Sequence, residues 1–330
     1  MVAFLNLHFY LFYDRIMSVL QKGENLVKVL NVTKRTLRKM PPLNLSRSIV
    51  NTEAKLYIHD YKKDYAHFDE LLKIYYNQTP GYLADKIAVI TKLIATFEAL
   101  DMPQLVTPTS LVSLDGEISG FAMPYIEDNI NLTLLLNNPK VKLELKLNWL
   151  KEILAILIKI NDSHELDGKF FLGDIHEANF IWDIKEQMVK AVDMDSSYFI
   201  GGPIPISKVT TFNELLERFP NKYVLDEESG KFIPNKDITS ISFIYMLLNV
   251  LSNSNNSHKW SYNEFYNYLS YLKKCGLSKY LLDIIANVYT AGNVDIYYPE
   301  ILDSINVSKD YSLTRARVRK TNGGYYYGSN

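Results

Sequence analysis

The sequence predicts an α+β protein in two unequal parts, a small β-rich N-terminal lobe and a larger, mainly helical C-terminal lobe. Three observations carry this. Between residues 49 and 123, runs of β-forming residues alternate with turn signals and enclose one amphipathic helix. Beyond about residue 141, apolar residues recur at helical spacing through several long segments. Among those segments lies Leu172-Gly173-Asp174-Ile175-His176-Glu177-Ala178-Asn179, followed by Val192-Asp193-Met194-Asp195, with apolar strand-like flanks.

The elements follow in order. Val2 to Tyr13 is apolar and aromatic but is interrupted by Asn6 and His8 and closed by Asp14 and Arg15. A spanning helix needs roughly 20 apolar residues, and a secretory leader needs a basic start and a small-residue cleavage site. The segment therefore reads as a packed N-terminal helix, with an interfacial anchor as the other reading. Residues 20–45 are basic and end in Met40-Pro41-Pro42, so 1–45 reads as an N-terminal extension. Lys55-Leu56-Tyr57-Ile58 and Glu70 to Tyr76 predict two strands, and Pro80-Gly81 punctuates the chain after them. Leu83, Ile87, Ile90, Ile94 and Phe97 then mark one face of a helix. Leu111–Leu114 and Ile118–Met123 flank Asp115-Gly116, a tight-turn pair, and predict a hairpin. Leu147, Leu150, Leu154, Leu157 and Ile158 predict a long buried helix, and Ile238–Leu251, Tyr262–Leu272 and Leu281–Val288 predict three more. The division is 46–127 for the small lobe and 128–312 for the large lobe, with 313–330 a basic, glycine- and tyrosine-rich flexible tail.

Composition narrows the function classes. Hydrophobic residues make up 47% and charged residues 22%, as in ordinary folded proteins. A net charge of −1 supplies no field for nucleic acid or an acidic membrane. One cysteine excludes an intrachain disulfide and fits a reducing, cytoplasmic setting. Six scattered histidines without paired cysteines give no zinc-type cage.

The chemistry concentrates in the polar stretch. Asp174, Asn179 five residues on and Asp193 fourteen further form a spacing that phosphoryl-transfer enzymes use. Singly, each is also an ordinary loop-turn residue; the ordered set is what points to function. With the order of strands, helix, hairpin and helical lobe, the chain resembles the protein-kinase-like superfamily over about residues 48 to 290. Gly173 to Asn179 is similar to the form found in atypical bacterial kinases and in the aminoglycoside and choline kinases.

That resemblance implies roles. Asp174 would be the base that orients the acceptor hydroxyl. Asn179 and Asp193 would hold magnesium, which prefers oxygen ligands, with Asp195 a supporting group or alternative ligand. The lysine on the ATP phosphates would be Lys73, with Lys55 the competitor. Met123 and Tyr125, in Met123-Pro124-Tyr125-Ile126, would form the hinge whose backbone reads adenine. Asp237 would either brace the catalytic loop or serve as a first-turn acid. His176 would contact phosphate or hold the loop.

The chain also departs from the pattern. Ser48 to Ala54, where a glycine-rich loop is expected, contains no glycine. The helix offers the lysine no convincing acidic partner, since Asp85 points away, Glu98 lies near the end and Lys86 occupies the opposite edge. Leu172 and Gly173 replace the histidine and arginine of phosphorylation-activated kinases. The expectation is an ATP- and magnesium-dependent phosphotransferase acting on a hydroxyl, first on a protein. A small-molecule acceptor and a nucleotide-binding pseudokinase are the alternatives.

Overall fold

The computed structural model describes residues 27–43, 53–59, 70–204, 218–222, 224–227, 230–253, 257–274, 276–291, 296, 299–305, 319–321 and 324–326. The apolar segment Val2–Tyr13 and most of the glycine-free stretch, residues 48–52, lie outside them. The chain packs as two compact units. The first runs to Asn129 and adds Asp183–Lys185 and Lys190–Pro205; the second holds Ile130–Trp182, Glu186–Val189 and the residues from Ile206 onward. Their content is the α+β arrangement expected, with the strands of the main sheet in the first and the long helices after residue 130 in the second.

The first unit is built on a five-stranded sheet. Its strands are β1 (Val29–Val32), β2 (Ala54–His59), β3 (Glu70–Tyr75), β4 (Ser110–Leu114) and β5 (Glu117–Pro124), in the order β1-β4-β5-β3-β2. All neighbours are antiparallel except β1, which runs parallel to β4 with Val29 opposite Leu111. Part of the expected N-terminal extension is therefore built into the sheet. A short helix, α1 (Lys34–Leu37), follows β1 and is capped by Thr33, whose hydroxyl accepts from the Thr36 N–H.

Strand alternation sorts the side chains onto two faces. Leu72, Ile74, Val112, Leu114 and Ala122 form one core with Val32 and Leu37. Leu71, Tyr75, Leu111, Phe121 and Met123 face the other way, onto Leu83, Ile87, Ile90 and Ile94 of α2 (Pro80–Phe97). Each of these helix side chains, taken out of water, contributes about 1.5–3 kcal/mol. Proline sits in the first turn of α2, where its missing N–H costs nothing. Just ahead, Asn77 Oδ1 accepts from both the N–H and the hydroxyl of Thr79. Lys73 alternates in phase with Leu71 and Tyr75, so the strand aims it at the helix-facing side.

Two glycine positions matter here. Asp115 and Gly116 both have positive φ, 53° and 97°, the requirement of the tight turn that joins β4 to β5. Gly120 of β5 lies against β3, and a Cβ there would fall 1.9 Å from the Lys73 carbonyl oxygen. Backbone cannot yield as a side-chain tip can. Gly120→Ala should lower stability by about 1–3 kcal/mol, the usual range for overpacking, read as a lower urea midpoint; an unchanged midpoint would show that β3 shifts freely.

The second unit is mainly helical. It contains α3 (Leu132–Leu136), α4 (Leu143–Asp162), α5 (Lys236–Ser252), α6 (Tyr262–Lys274), α7 (Lys279–Ala291) and α8 (Pro299–Ser304). The helix α5 is buried nearly all round, as its apolar sequence requires. The side chains of Phe265 in α6 and Tyr289 in α7 stack at 3.7 Å. Arg218 lies 4.1 Å from the Tyr289 ring and donates to the Tyr245 hydroxyl and the Trp260 carbonyl. In the tail, where no element is expected, Arg319–Thr321 pairs antiparallel with Gly324–Tyr326. Among the described residues, no helix is long and apolar enough to cross a membrane.

Candidate functional site

In the first unit, Lys73 is 1% exposed and sits among three carboxylates. Its Nζ lies 2.5 Å from Asp193 Oδ1, 2.7 Å from Asp195 Oδ1 and 3.7 Å from Glu53 Oε2. Asp193 follows the strand Met188–Ala191 and Val192, and its φ of 62° is left-handed, a conformation aspartate tolerates better than most residues. That turn lets Asp193 and Asp195 both reach the lysine. Met194 between them is buried.

Asp195 is fully buried. Lys86 of α2 approaches its Oδ2 at 3.3 Å and also lies 2.6 Å from Glu53 Oε1. The Tyr75 hydroxyl donates to the same Oδ2 at 2.5 Å, and the Tyr82 hydroxyl donates to Glu53. Burial alone would push both ammonium groups down. For Lys73 the charges of Asp193 and then Asp195 outweigh burial and hold it above the ordinary lysine range; for Lys86 the charges of Asp195 and Glu53 do the same. Asp195 is the converse case. Burial raises it, but Lys73 and then Lys86 hold it well below the carboxylate range. Burial and the Asp195 charge push the Tyr75 phenol up, so it remains a donor. Removing one member of such a cluster strands a buried charge, at about 3–5 kcal/mol.

In the second unit, the strand Phe170–Phe171 leads through buried Leu172 into the loop that carries Asp174 and Asn179. His176 Nδ1 accepts the Ala178 N–H at 3.2 Å, which leaves Nε2 as the protonated nitrogen. That nitrogen lies 3.2 Å from Asp174 Oδ2 and donates to it. Of the two readings of His176, the structural bond is the one seen. Asn179 Nδ2 donates to the Asp174 carbonyl at 2.9 Å, which leaves the amide oxygen available. Asn131 pins the loop, donating to the Ala178 carbonyl at 2.7 Å while its side-chain oxygen caps α3.

No family model matches the chain, and no curated protein matches it. A solved apo structure of the GRMZM2G135359 pseudokinase is similar to it, with a TM-score of 0.52 and 8% identity, over 86% of this chain and 95% of that one. The chain has the protein-kinase-like fold. At that identity the likeness is one of fold.

Of the two candidate lysines, Lys73 on β3 lies in the carboxylate cluster, and Lys55, on β2 with its side chain exposed, does not. Met123, buried near the end of β5, and Tyr125, the two residues expected at a hinge, both pack against the core beneath α2. Sequence reasoning missed Glu53, and it placed Lys86 at an edge without a role. Of the two readings of Asp195, a supporting group or an alternative ligand, its side-chain bonds to Lys73, Lys86 and Tyr75 fit the first. Asp237 is a first-turn acid of α5, paired with Lys222 at 2.9 Å and not with the loop at 174–179. The N-cap is Asn235, which accepts from the Ile238 N–H.

The donor set can be tested for magnesium. Asp193 uses Oδ1 for Lys73, which leaves Oδ2 on a carboxylate 34% exposed, and Asn179 keeps its amide oxygen. Both are hard oxygen donors of the type magnesium takes, one or two from protein with the remainder from phosphate and water. Among the described residues, no cluster of three or more His, Cys, Asp or Glu forms a full protein cage. Taken unit by unit, each residue is a donor of the kind magnesium takes beside phosphate and water.

Proposed function

We propose that the protein is an ATP- and magnesium-dependent phosphotransferase that passes the γ-phosphate to a hydroxyl, foremost a serine or threonine of a protein. The observation that carries this is the Lys73–Asp193 pair. A strand lysine and a turn aspartate 120 residues apart meet at 2.5 Å inside one unit, each with the chemistry that phosphate and magnesium require. Magnesium, when bound, supplies charge neutralisation at the phosphates, with Asp193 and Asn179 as its protein ligands. Lys73 offers a charge that its carboxylate neighbours keep protonated. Asp174, oriented by the His176 Nε2–H, accepts the hydrogen of the acceptor hydroxyl and aims its oxygen. Leu172 and Gly173 support placing the chain nearer the atypical, bacterial-type kinases than the phosphorylation-activated ones.

A second reading has an observation of its own. The helix α2 presents Lys86 to the cluster where kinases present an acid, and the similar solved structure is a pseudokinase. A nucleotide-binding interaction module would use the same cluster without transfer. Incubation with γ-labelled ATP and magnesium, alone and with cell lysate, separates the readings. Label on protein supports the proposal. Label on small molecules alone reassigns the acceptor, and no label with retained nucleotide binding favours the module.

A further inference from the structure

We propose that Asp195 is the positioning residue for Lys73, doing from the turn after Val192 what a helix acid does elsewhere in the fold, and that Lys86 is the helix's counter-charge to it. The inference rests on the phosphotransferase reading for its catalytic consequence, but its geometric content stands apart from that reading.

Three facts lead to it. First, Asp195 is saturated by donors of its own unit. Oδ1 accepts from Lys73 at 2.7 Å, and Oδ2 accepts from Tyr75 at 2.5 Å and Lys86 at 3.3 Å. It has no exposed surface, so it cannot serve a ligand without breaking these bonds. Second, Asp193, two residues earlier, is 34% exposed and is bound through one oxygen only. The two aspartates thus divide the work, one fixed behind the lysine and one facing outward. Third, α2 contributes a cation. Lys86 is 5% exposed and also meets Glu53, so the helix is tied to the sheet through Asp195 and Glu53 together.

The polarity of the usual helix–strand pair is therefore inverted. A strand lysine and a helix lysine share a buried aspartate from a third element. Lys73 is held whether or not the helix offers an acid, because its anchor lies two residues from Asp193 along the chain. Tyr75, in phase with Lys73 on β3, fixes the remaining carboxylate edge and so sets the angle at which Asp195 meets the lysine.

The test compares Asp195→Asn, Lys86→Met and the double variant by thermal melts and by steady-state kcat and KM for magnesium ATP. Asparagine keeps the size and removes the charge. We expect Asp195→Asn to lose about a hundredfold in kcat/KM, the scale on which a misplaced catalytic group is felt. The double variant also removes the helix cation whose charge Asp195 balanced, and should recover melting temperature without recovering kcat/KM. Full recovery of kcat/KM in the double variant would reduce Asp195 to a neutraliser of Lys86 and overturn the proposal. So would a kcat/KM for Asp195→Asn within about twofold of the parent, since a positioning loss is expected near a hundredfold.

Should the parent protein itself show no turnover, the phosphotransferase reading fails, and crystal structures of the parent and Asp195→Asn decide the geometry. Lys73 Nζ leaving Asp193 in the variant supports the positioning role. Lys73 remaining in place overturns it.

Discussion

Asp193→Ala will abolish magnesium-dependent turnover, with kcat falling about a thousandfold or more, while the protein stays folded. The size follows from what the carboxylate does. It is the outward-facing oxygen donor of the cluster, and removing one preorganised group that meets developing charge costs about 10²–10³ on its own. Loss of a metal contact adds to that. The same substitution releases Lys73 from its 2.5 Å partner, leaving Asp195 and Glu53 to hold it. Alanine in a left-handed position carries its own strain, with φ at 62°. Asp193→Asn, which tolerates that conformation, should therefore accompany it and show the same loss. Steady-state rates over a magnesium titration, with calorimetry for nucleotide binding, make the measurement. Unchanged turnover in both variants would remove Asp193 from the site.

Asp174→Asn should separate binding from transfer. The asparagine oxygen can still accept from the His176 Nε2–H, and the bond from Asn179 goes to the main-chain carbonyl at 174, so the loop keeps its shape. Only the charge proposed to receive the hydroxyl proton is lost. General-base assistance is worth about 10²–10⁴, and transfer should fall by that factor. The nucleotide dissociation constant should stay close to that of the parent. Full transfer in the variant would refute the base role. Weakened binding with unchanged transfer would instead place Asp174 among the nucleotide contacts.

Much of the fold was legible because the patterns were long and local. The face of α2 reads directly from Leu83, Ile87, Ile90 and Ile94, and the β4–β5 hairpin from Asp115-Gly116. What stayed hidden was long-range or unusual in sign. Glu53 joins the cluster because β2 pairs with β3, and no local spacing announces that. Lys86 could have been found. On a helical wheel it falls between Leu93 and Ile90, inside the buried arc, and a lysine in such an arc requires a carboxylate partner. Local spacing does not separate the supporting reading of Asp195 from the ligand reading, because its neighbours, Lys73, Tyr75 and Lys86, lie far away in the sequence. Asn131, which pins the 174–179 loop, carries no motif at all; its cap to α3 is common chemistry, and only the fold brings Ala178 within reach.

The pairing of Val29–Val32 with β4 bears on where the chain can be cut. Every residue of β4 is buried, and β1 is what completes hydrogen bonding along its outer side. A fragment trimmed at residue 46 would leave that side as an open template. Open strand edges of this kind recruit other chains, so the trimmed fragment would self-associate through β4. Val29–Val32 thus covers that side of the sheet from within the same polypeptide as the strand it protects.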